Sequence, residues 1–538
     1  MACLQNIKRL INVSDIKYLV TPKRANNKVI SGVRLTEFYE NLSKRGHWVK
    51  SGLKEVLLTA DRTLMSTYHQ NEFLGFGTCA PPNFIPAWLF SYLFFPPVKT
   101  SNGHPWMAPY GLRKTEALLL KEGFNVDTVS PDCLGNLRET KVLGIHVMDP
   151  FGLGPASTTL SAMFKKQPYL AEHFQTLLSS PAIKKAKRNG LKIIVGGPGA
   201  WQFRYRENAS KVLGIDCVVE GEAENVIGRL FRAAVEGREI PRHYEVGVEE
   251  VPTLEQIPDI VQPSINGLVE LGRGCCRGCQ FCNVTLRPLR WYPIEKIQRE
   301  LDVNLSSGKV DCACLHAEDV MLYGSNNTIP NEEKLLQLHK LVMNRINSIS
   351  WSHCSLAAVA SAPKLFTKLS EIIRQKQEWW GAEVGIETGS PEVAKKIMPA
   401  KAHPFSADKW HEVVVEGMGL MHDNKMVPAC TLIVGLPDEK EEDIIKTMDL
   451  MDDLRGMRSL IVPLFFVPLG KLKSENWFHD TQLNELHKQL LIRCAEHDFY
   501  WIDSLLDWTF KGQWYNRILR EFYRGFSVLA KYKVRRIE

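Results

Sequence analysis

Three cysteines in one short segment are the residues with the clearest chemical meaning. Three residues separate Cys275 from Cys279, and two separate Cys279 from Cys282. This spacing places three thiolates on one loop around a cubane iron-sulfur cluster. Three ligands leave one iron open to a small molecule that can chelate it and be reduced, whereas a fourth would complete an electron carrier. The spacing therefore predicts a 4Fe-4S cluster in an enzyme.

A zinc knuckle is the alternative to this cluster. Zinc sites use a closed set of four ligands, usually in paired clusters, and no second pair follows at finger or ribbon spacing. Cys276 also stands inside the loop. Because its neighbour Cys275 already fits the spacing, Cys276 is predicted not to be a ligand.

The segment 271–282, with the sequence LGRGCCRGCQFC, resembles the cluster motif of the radical S-adenosylmethionine superfamily. A Gly-Arg-Gly run leads into the motif as is usual in that superfamily, and Phe281 fills the aromatic position before the last cysteine. The resemblance implies that S-adenosylmethionine binds the open iron through its amino and carboxylate groups. It also implies that reduction of the cluster cleaves the sulfonium to a 5'-deoxyadenosyl radical.

The composition is that of a globular protein, with 44% hydrophobic and 24% charged residues in 538. This length predicts about three to four domains. Thirteen cysteines are too few for a disulfide scaffold of this length, and an oxygen-labile cluster needs free thiols. A reducing, cytoplasmic location is predicted. The N-terminus lacks the long apolar core of a signal peptide.

Two segments leave open a contact with a membrane surface. The longest apolar stretch, 84–95, is shorter than the ~20 residues that span a bilayer, so no transmembrane segment is predicted. It is predicted to be buried at an interface, or to form the wall of a site for an apolar ligand. The tail 511–538 combines eight Lys or Arg with two Glu and six aromatic residues. It predicts either a solvated terminal helix or a peripheral contact with an anionic membrane or acidic partner.

Between residues 51 and 240, short apolar runs alternate with helical patterns, which predicts a parallel sheet wound with helices. The predicted strands are 55–59, 125–129, 142–147, 192–195 and 216–219. In such sheets, ligands bind outside the carboxyl ends of the strands.

Glycines and acidic residues follow three of these strands. They are Asp149, Gly152 and Gly154 after the third strand, Gly196, Gly197 and Gly199 after the fourth, and Glu220 and Gly221 after the fifth. This order resembles the cobalamin-binding domain that precedes the barrel in many radical S-adenosylmethionine enzymes. The resemblance implies a flavodoxin- or Rossmann-like fold and cobalamin as a further cofactor. These eight residues would then let the backbone lie close to the corrin and its nucleotide tail.

One departure from that family concerns cobalt. Many cobalamin proteins carry Asp-x-His-x-x-Gly after the first strand, with the histidine as the lower cobalt ligand, and this chain lacks the motif. His69, in the loop after the first strand, is a candidate substitute, although a lone loop histidine is more often simply exposed. Some relatives bind cobalamin without a histidine ligand, so the departure leaves only the cobalt coordination open.

The resemblance to a partial β/α barrel of the TIM type runs over residues 266–470. A proline-containing linker is predicted at 241–265, an N-terminal extension at 1–50, the cobalamin-binding-like α/β domain at 51–240, and a helical, basic-aromatic region at 471–538. The extension and the C-terminal region have no counterpart that the motifs identify.

Within the barrel, three residues are implied to contact S-adenosylmethionine. Glu318, beside Asp319, would accept hydrogen bonds from its amino group, Glu387 would approach its ribose or amino acid moiety, and Gly435 would let the backbone approach adenine. Ordinary strand ends with satisfied carboxylates are the alternative.

Five further residues have two interpretations. Arg287, Arg290 and Trp291 follow the cluster loop, where arginines could tune the cluster potential or neutralise a carboxylate, or could lie on the surface. His353 and Cys354 lie at a predicted strand and are expected to be structural.

The two cofactors suggest a division of labour. The adenosyl radical would abstract hydrogen from an unactivated carbon, and methylcobalamin would donate the methyl group, as in a C-methyltransferase. Radical carbon-carbon bond or ring formation on a lipid, as in archaeal tetraether-lipid ring synthases, is the alternative, and a non-catalytic iron-sulfur or corrinoid carrier is a third. The expected partners are a small-molecule, lipid or protein side-chain substrate and an electron donor of the ferredoxin or flavodoxin type, with no nucleic acid. The sequence assigns no catalytic side chain.

Overall fold

The computed structural model describes residues 54–82, 86–135, 137–509, 520–521, 523–525 and 528. All of them belong to one structural unit that spans residues 47–538. The predicted N-terminal extension, the start of the apolar stretch at Phe84 and most of the basic tail lie outside the described residues.

Six parallel strands form the sheet of the first domain, which we call the sheet domain. The strands of this domain are β1 (Val56–Ala60), β2 (Thr100–Ser101), β3 (His104–Pro105), β4 (Val126–Thr128), β5 (Val142–His146), β6 (Lys192–Gly196), β7 (Cys217–Glu220) and β8 (His243–Glu245). β2 and β3 form a separate antiparallel pair, and the others follow the order β4-β1-β5-β6-β7-β8. The five predicted strands are present to within one residue at each end.

β8 is the sheet strand that the sequence did not reveal. It lies inside the predicted linker 241–265, at the edge of the sheet, where it pairs with β7 alone. An edge strand needs no continuous apolar run, and residues 243–245 are half-buried or exposed.

The strand order creates a crevice at one edge of the sheet. From β1 the chain runs to β4 on one side, and it then returns past β1 to β5 on the other side. The connection that follows β1 and the connection that follows β5 therefore run in opposite directions along the sheet. In doubly wound sheets, ligands bind at the carboxyl ends of such a strand pair.

The helices of the sheet domain are α1 (Ala87–Phe94), α2 (Tyr110–Lys121), α3 (Pro155–Phe164), α4 (Tyr169–Leu178), α5 (Pro181–Arg188), α6 (Ala209–Val212) and α7 (Ile227–Val235).

Both faces of this sheet are buried, as its near-continuous apolar strands require. Leu58 and Ile194 pack with Phe231 of α7 on one face. Leu143 packs with Phe174 of α4 on the other.

A partial barrel follows the sheet domain. Its strands are β9 (Val269–Glu270), β10 (Gly272–Arg273), β11 (Arg290–Trp291), β12 (Cys312–His316), β13 (Ser348–Trp351), β14 (His353–Cys354), β15 (Trp380–Glu387), β16 (Met426–Val434) and β17 (Leu460–Phe465). Two parallel sheets, β13-β12-β9 and β14-β15-β16-β17, form its wall. Ser352 joins them, because its amide donates to Leu315 of β12 and its carbonyl accepts from Glu383 of β15.

Helices cover the outside of the barrel. They are α8 (Ile294–Ser306), α9 (Glu332–Met343), α10 (Leu356–Ser361), α11 (Pro363–Ile373), α12 (Pro391–Ile397), α13 (Trp410–Asp423), α14 (Glu441–Asp453) and α15 (Glu485–Thr509). α15 packs against β17 and α14. The mixed α/β architecture with two parallel-sheet domains and a C-terminal helix agrees with the predicted fold class.

The described part of the apolar stretch forms α1, a helix of the domain surface. Phe90 and Leu93 are buried, whereas Trp88 and Tyr92 are exposed. The ring of Phe90 stacks on Tyr169, with 4.7 Å between the centroids. None of the helices in the described part of the chain combines the length and apolar character needed to cross a bilayer.

Candidate active site

One cleft of about 1400 Å³ lies between the sheet domain and the barrel. We call it the interdomain cleft. Its walls include the carboxyl ends of β5, β6 and β7 on one side and the interior of the barrel on the other. Side chains of both domains therefore face one continuous space.

The three predicted cluster ligands lie together on one loop at the end of β10. The pKa of Cys275 is raised to about 12, chiefly by burial, and negative charges on Asp319, Cys276 and Cys279 contribute to that shift. Burial also raises the pKa of Cys279 to about 11, with Lys401 opposing the shift and Cys282 adding to it. Electrostatic influence of this kind places Cys279 near both Cys275 and Cys282, and Cys276 acts on Cys275 in the same way.

Cys276 has a different environment from the other three cysteines of the loop. Its thiol donates to the carbonyl oxygen of Asn327 at 3.7 Å. Within the described ranges, no three His, Cys, Asp or Glu side chains lie close enough together to bind one metal ion directly. That Cys276 is not a ligand stays a prediction.

Residues far away in sequence hold the cluster loop in place. Gly470, after β17, donates its amide to the side chain of Asn283 at 2.8 Å. A Cβ atom at Gly470 would lie only 2.6 Å from the carbonyl oxygen of Gln280, so this position needs glycine. Arg277 is buried inside the loop and forms an ion pair of 3.2 Å with Asp319. Asp319 thus supports the cluster loop and is not free to bind an amino group.

The three residues predicted to contact S-adenosylmethionine have different surroundings. Glu318 lines the interdomain cleft. Glu387 is buried, forms an ion pair with Lys401, and accepts a hydrogen bond from Thr431 at 3.0 Å. Lys401 also acts electrostatically on Cys279, so the Lys401–Glu387 pair lies beside the cluster loop. Sequence reasoning missed Lys401, which no motif marks.

Gly435 makes room for a side chain of the protein itself. Its φ is +79°, and a Cβ atom there would lie 2.0 Å from Cδ2 of Phe478. Phe478 thus fills the position that a side chain would take at Gly435, and the approach of the Gly435 backbone to adenine stays a prediction.

The eight residues predicted to contact cobalamin fall into two groups. Four line the interdomain cleft, namely Gly196, Gly197, Glu220 and Gly221. The other four, Asp149, Gly152, Gly154 and Gly199, lie in the loops behind it and do not line it. For this second group, a contact with cobalamin stays a prediction.

The second group shapes the loops instead. Asp149 is buried and accepts hydrogen bonds from the amide of Gly154 at 3.0 Å and from the side chain of Gln202. A Cβ atom at Gly199 would lie 2.2 Å from the carbonyl oxygen of Met148. These residues fix the turns that carry Gly196 and Gly197 to the cleft.

An apolar slot extends from the cleft into the sheet domain. It lies between the sheet and helices α2 and α7, and its lining includes Leu118, Gly144, Ile227 and Phe231. Gly144 is required there, because a Cβ atom would lie 2.5 Å from Leu58. We call Gly196, Gly197 and Gly221 the glycine-lined rim of the cleft. A rim without side chains above an apolar slot fits a flat ring that carries a tail.

Two histidines stand near this slot. His146 ends β5, and burial lowers its pKa to about 4, so it is neutral at pH 7. His69 lines the cleft, and its Nε2 lies 2.9 Å from the carbonyl oxygen of Tyr92. That hydrogen bond engages one of the two ring nitrogens of His69.

A buried network of charges joins the two domains beside the cluster loop. Arg273 of β10 lies 3.0 Å from Glu222, 2.7 Å from Glu224 and 2.8 Å from Glu270. Arg290 binds the same carboxylate of Glu222 at 2.7 Å. The network ties the loop after β7, which borders the cleft, to the strand that leads into the cysteines.

This network corrects one interpretation from the sequence. Arg290 is a structural bridge to the sheet domain and is not placed on the surface. Trp291 donates its indole N–H to the carbonyl oxygen of Ser325. Arg287 lines the cleft, 3.9 Å from Glu222.

Glu222→Gln tests the energetic importance of the network. Removing one charge from a buried ion pair costs roughly 3–5 kcal/mol, because the partner remains buried without compensation. We expect a loss of roughly 3 kcal/mol in the free energy of unfolding, measured by urea denaturation. Asp302→Asn, which breaks the exposed pair with Arg345, is the matched control and should cause no measurable loss. Equal stability of the two variants would contradict the assignment.

The family comparison agrees with this geometry. Residues 269–451 match the family model described as the radical SAM superfamily. This part of the chain is a radical SAM domain, and the predictions of that superfamily and of an enzyme are confirmed.

Curated proteins and solved structures give more distant matches. A tRNA-2-methylthio-N(6)-dimethylallyladenosine synthase of Orientia tsutsugamushi (strain Ikeda) is 24% identical over 213 residues, which are 38% of this chain and 44% of the relative. A synthase of the same name from Syntrophomonas wolfei is 23% identical over 52% of this chain and 60% of its own length. The chain thus spans less than two thirds of either relative.

A solved structure shares the fold. It is the radical S-adenosylmethionine methyltransferase TsrM from Kitasatospora setae with cobalamin and a 4Fe-4S cluster bound. The TM-score is 0.50 at 15% identity, over 78% of this chain and 77% of that one. The two proteins therefore have a similar architecture across both domains.

Proposed function

We propose that the protein is a cobalamin-dependent radical S-adenosylmethionine enzyme that transfers a methyl group to an unactivated carbon. The observation that carries this proposal is the interdomain cleft. Residues of the glycine-lined rim, such as Gly197 and Gly221, and residues of the barrel interior, such as Glu318, line the same space. Two cofactors and a substrate can act together only if one cavity holds their reactive atoms close to one another.

The residues present fit the implied cofactors. Cys275, Cys279 and Cys282 would hold a 4Fe-4S cluster, and Glu318 would accept hydrogen bonds from the amino group of S-adenosylmethionine. Gly196, Gly197, Glu220 and Gly221 would border a corrin whose tail enters the apolar slot. When bound, these groups supply a 5'-deoxyadenosyl radical and a transferable methyl group.

The protein contributes alignment and a defined electrostatic environment. The Arg273 network fixes the rim relative to the cluster loop, and the Lys401–Glu387 pair places a cation near the thiolates. An electron donor of the ferredoxin or flavodoxin type would reduce the cluster. We place the enzyme in the cytoplasm, where its thiols stay reduced.

Radical coupling of lipid carbons is the alternative that the exposed aromatic rings of α1 favour. Trp88 and Tyr92 are 41% and 56% exposed on this surface helix. Side chains of this kind suit the interface of a membrane. A peripheral contact through α1 would bring a lipid to the enzyme.

The products distinguish the two reactions. Methyl transfer uses one S-adenosylmethionine to form the radical and a second to remethylate cobalt. We therefore expect both 5'-deoxyadenosine and S-adenosylhomocysteine during turnover, with a labelled methyl group recovered in the product. Liquid chromatography with mass spectrometry measures all three. Deoxyadenosine formed with substrate consumption but without labelled product would replace methyl transfer by lipid carbon-carbon coupling.

A further inference from the structure

The interdomain cleft extends through the barrel to the opposite ends of its strands. Glu318, which follows the carboxyl end of β12, lines the cleft, and so do Ser348, which begins β13, and Trp379, which precedes β15. Glu378 lines the cleft as well and is exposed to solvent. The cleft therefore also opens at the amino ends of the barrel strands. We call this opening the amino-end mouth.

Small side chains leave room inside the barrel between its two ends. Interiors of such barrels are normally filled by layers of bulky branched side chains. Here, Cys312 lies opposite Ser348 and Cys314 lies opposite Ser350 on the neighbouring strands β12 and β13, and all four line the cleft. Gly381 of β15 lines the cleft without any side chain. These positions keep a passage open along the interior.

The sheet domain covers the side of the barrel. β9 and β17 are edge strands of the two wall sheets, so the incomplete barrel has a gap between them. Beside β9, the side-chain amide of Asn266 donates to Glu72 at 2.9 Å. At β17, the backbone amide of Phe465 donates to Thr159 of α3 at 2.7 Å. Because Glu72 and Thr159 belong to the sheet domain, this domain lies across the gap at both of its edges.

The predicted cofactor ligands lie at the other end of the cavity. The cluster loop follows β10, and Glu318 follows β12, so both are at carboxyl ends of barrel strands. The rim faces the same end, because Glu222, which follows Gly221, pairs with Arg273 at the start of the cluster loop. Cofactors held by these residues would leave the amino-end mouth open to a substrate.

Aromatic side chains form one wall of the amino-end mouth. Trp379 precedes β15, and Trp508 belongs to α15. Both line the cleft, with 6.4 Å between their ring centroids. Cζ of Arg458 lies 4.0 Å from the centroid of Trp508 and holds this ring in place. An apolar or flat part of a ligand can pack on such rings as it enters.

The dimensions of the barrel limit what can use this passage. β15 has eight residues, and at about 3.3 Å per residue it spans roughly 26 Å. The interior of a barrel of this kind is only wide enough for side chains or for one small ligand. A molecule that reaches the cluster end from the amino-end mouth must therefore be slender.

We propose that the substrate enters the barrel end first through the amino-end mouth, as a slender, elongated molecule, while the cofactors are held at the carboxyl ends of the strands. A folded macromolecule is excluded, because the mouth leads into the interior of a barrel. The positions of the cofactors, and the identity of this molecule as the methyl acceptor, rest on the proposed function. The mouth itself requires neither cofactor.

A thiol placed inside the barrel tests the route of entry. Ser350→Cys introduces one in β13, between the amino-end mouth and the carboxyl end of the strand. Anaerobically reconstituted protein is treated with N-ethylmaleimide, and mass spectrometry of peptides measures the rate at which residue 350 is modified. Bound hydroxocobalamin and S-adenosylmethionine should leave this rate unchanged, because they occupy the other end of the cavity.

Tryptophan substitutions in the Ser350→Cys protein obstruct one end at a time. Ser348→Trp fills the mouth and should slow the modification by about tenfold or more, which corresponds to about 1.4 kcal/mol in activation free energy. Val248→Trp is the matched control. Val248 is exposed and lines the cleft beyond β8, at the opposite end, so the rate should not change. Glu378→Trp, at the exposed border of the mouth, replaces Ser348→Trp if that variant does not fold.

Three results would overturn the proposal. They are protection of residue 350 by hydroxocobalamin and S-adenosylmethionine, modification at the full rate in the mouth variant that folds, and no modification of the Ser350→Cys protein. Any of these results together with both methyl-transfer products would remove only the amino-end mouth. Modification as expected without those products would remove only the methyltransferase.

Discussion

Replacing Cys275, Cys279 and Cys282 together by alanine is expected to abolish the four-iron absorption of anaerobically reconstituted protein. Formation of 5'-deoxyadenosine should disappear with it, because no other described set of thiols lies on the cluster loop. The reason is that the three thiolates are the predicted ligands of the cluster, which is the source of the reducing electron. Absorption spectroscopy, iron analysis and chromatography of the reaction mixture measure the outcome.

Cys276→Ala is the matched control for this experiment. Its thiol contacts the carbonyl oxygen of Asn327, and the alanine variant should keep both the cluster and deoxyadenosine formation. A triple variant that retained the four-iron spectrum, or a control that lost it, would contradict the ligand assignment.

Gly196→Phe is expected to weaken corrinoid binding by more than about tenfold, which corresponds to about 1.4 kcal/mol. Gly196 ends β6 and lines the interdomain cleft. A Cβ atom there meets only ordinary contacts, the nearest being 3.5 Å from the carbonyl oxygen of Val219. A bulky side chain at this position can thus occupy the cleft without distorting the strand. Absorption titration with hydroxocobalamin measures the affinity.

The control for Gly196→Phe is Gly456→Phe. Gly456 is exposed, and a Cβ atom there meets nothing within 4 Å. Gly197 is less suitable for the test, because its φ is +120° and a Cβ atom would lie 2.6 Å from the carbonyl oxygen of Val147. Both phenylalanine variants should keep the four-iron cluster. Wild-type protein that never takes up corrinoid, or equal affinity of the two variants, would contradict the cofactor assignment.

The sequence by itself determined the features that depend on local spacing. Three thiols separated by three and two residues must lie on one loop, so the cluster motif is readable without a structure. Five strands of the sheet domain are equally readable, because strands buried on both faces must be continuous apolar runs. The edge strand β8 has no such requirement, and the sequence did not reveal it.

Tertiary structure decided which side chains reach the cleft. A glycine turn is recognisable in sequence, but only packing separates Gly196 and Gly197, which line the cavity, from Gly199, which accommodates the carbonyl of Met148. The same reasoning applies to Gly435, where Phe478 fills the position that a side chain would take.

His353 shows what pattern alone cannot decide. It was expected to be structural, and in the structure it lies 3.0 Å from Glu383. No local pattern distinguishes a histidine beside a carboxylate from one in an apolar core. Arg273 and Glu222 are 51 positions apart, and only the packing of two domains makes them partners. Contacts between distant segments depend on the whole fold, so the structure alone reveals them.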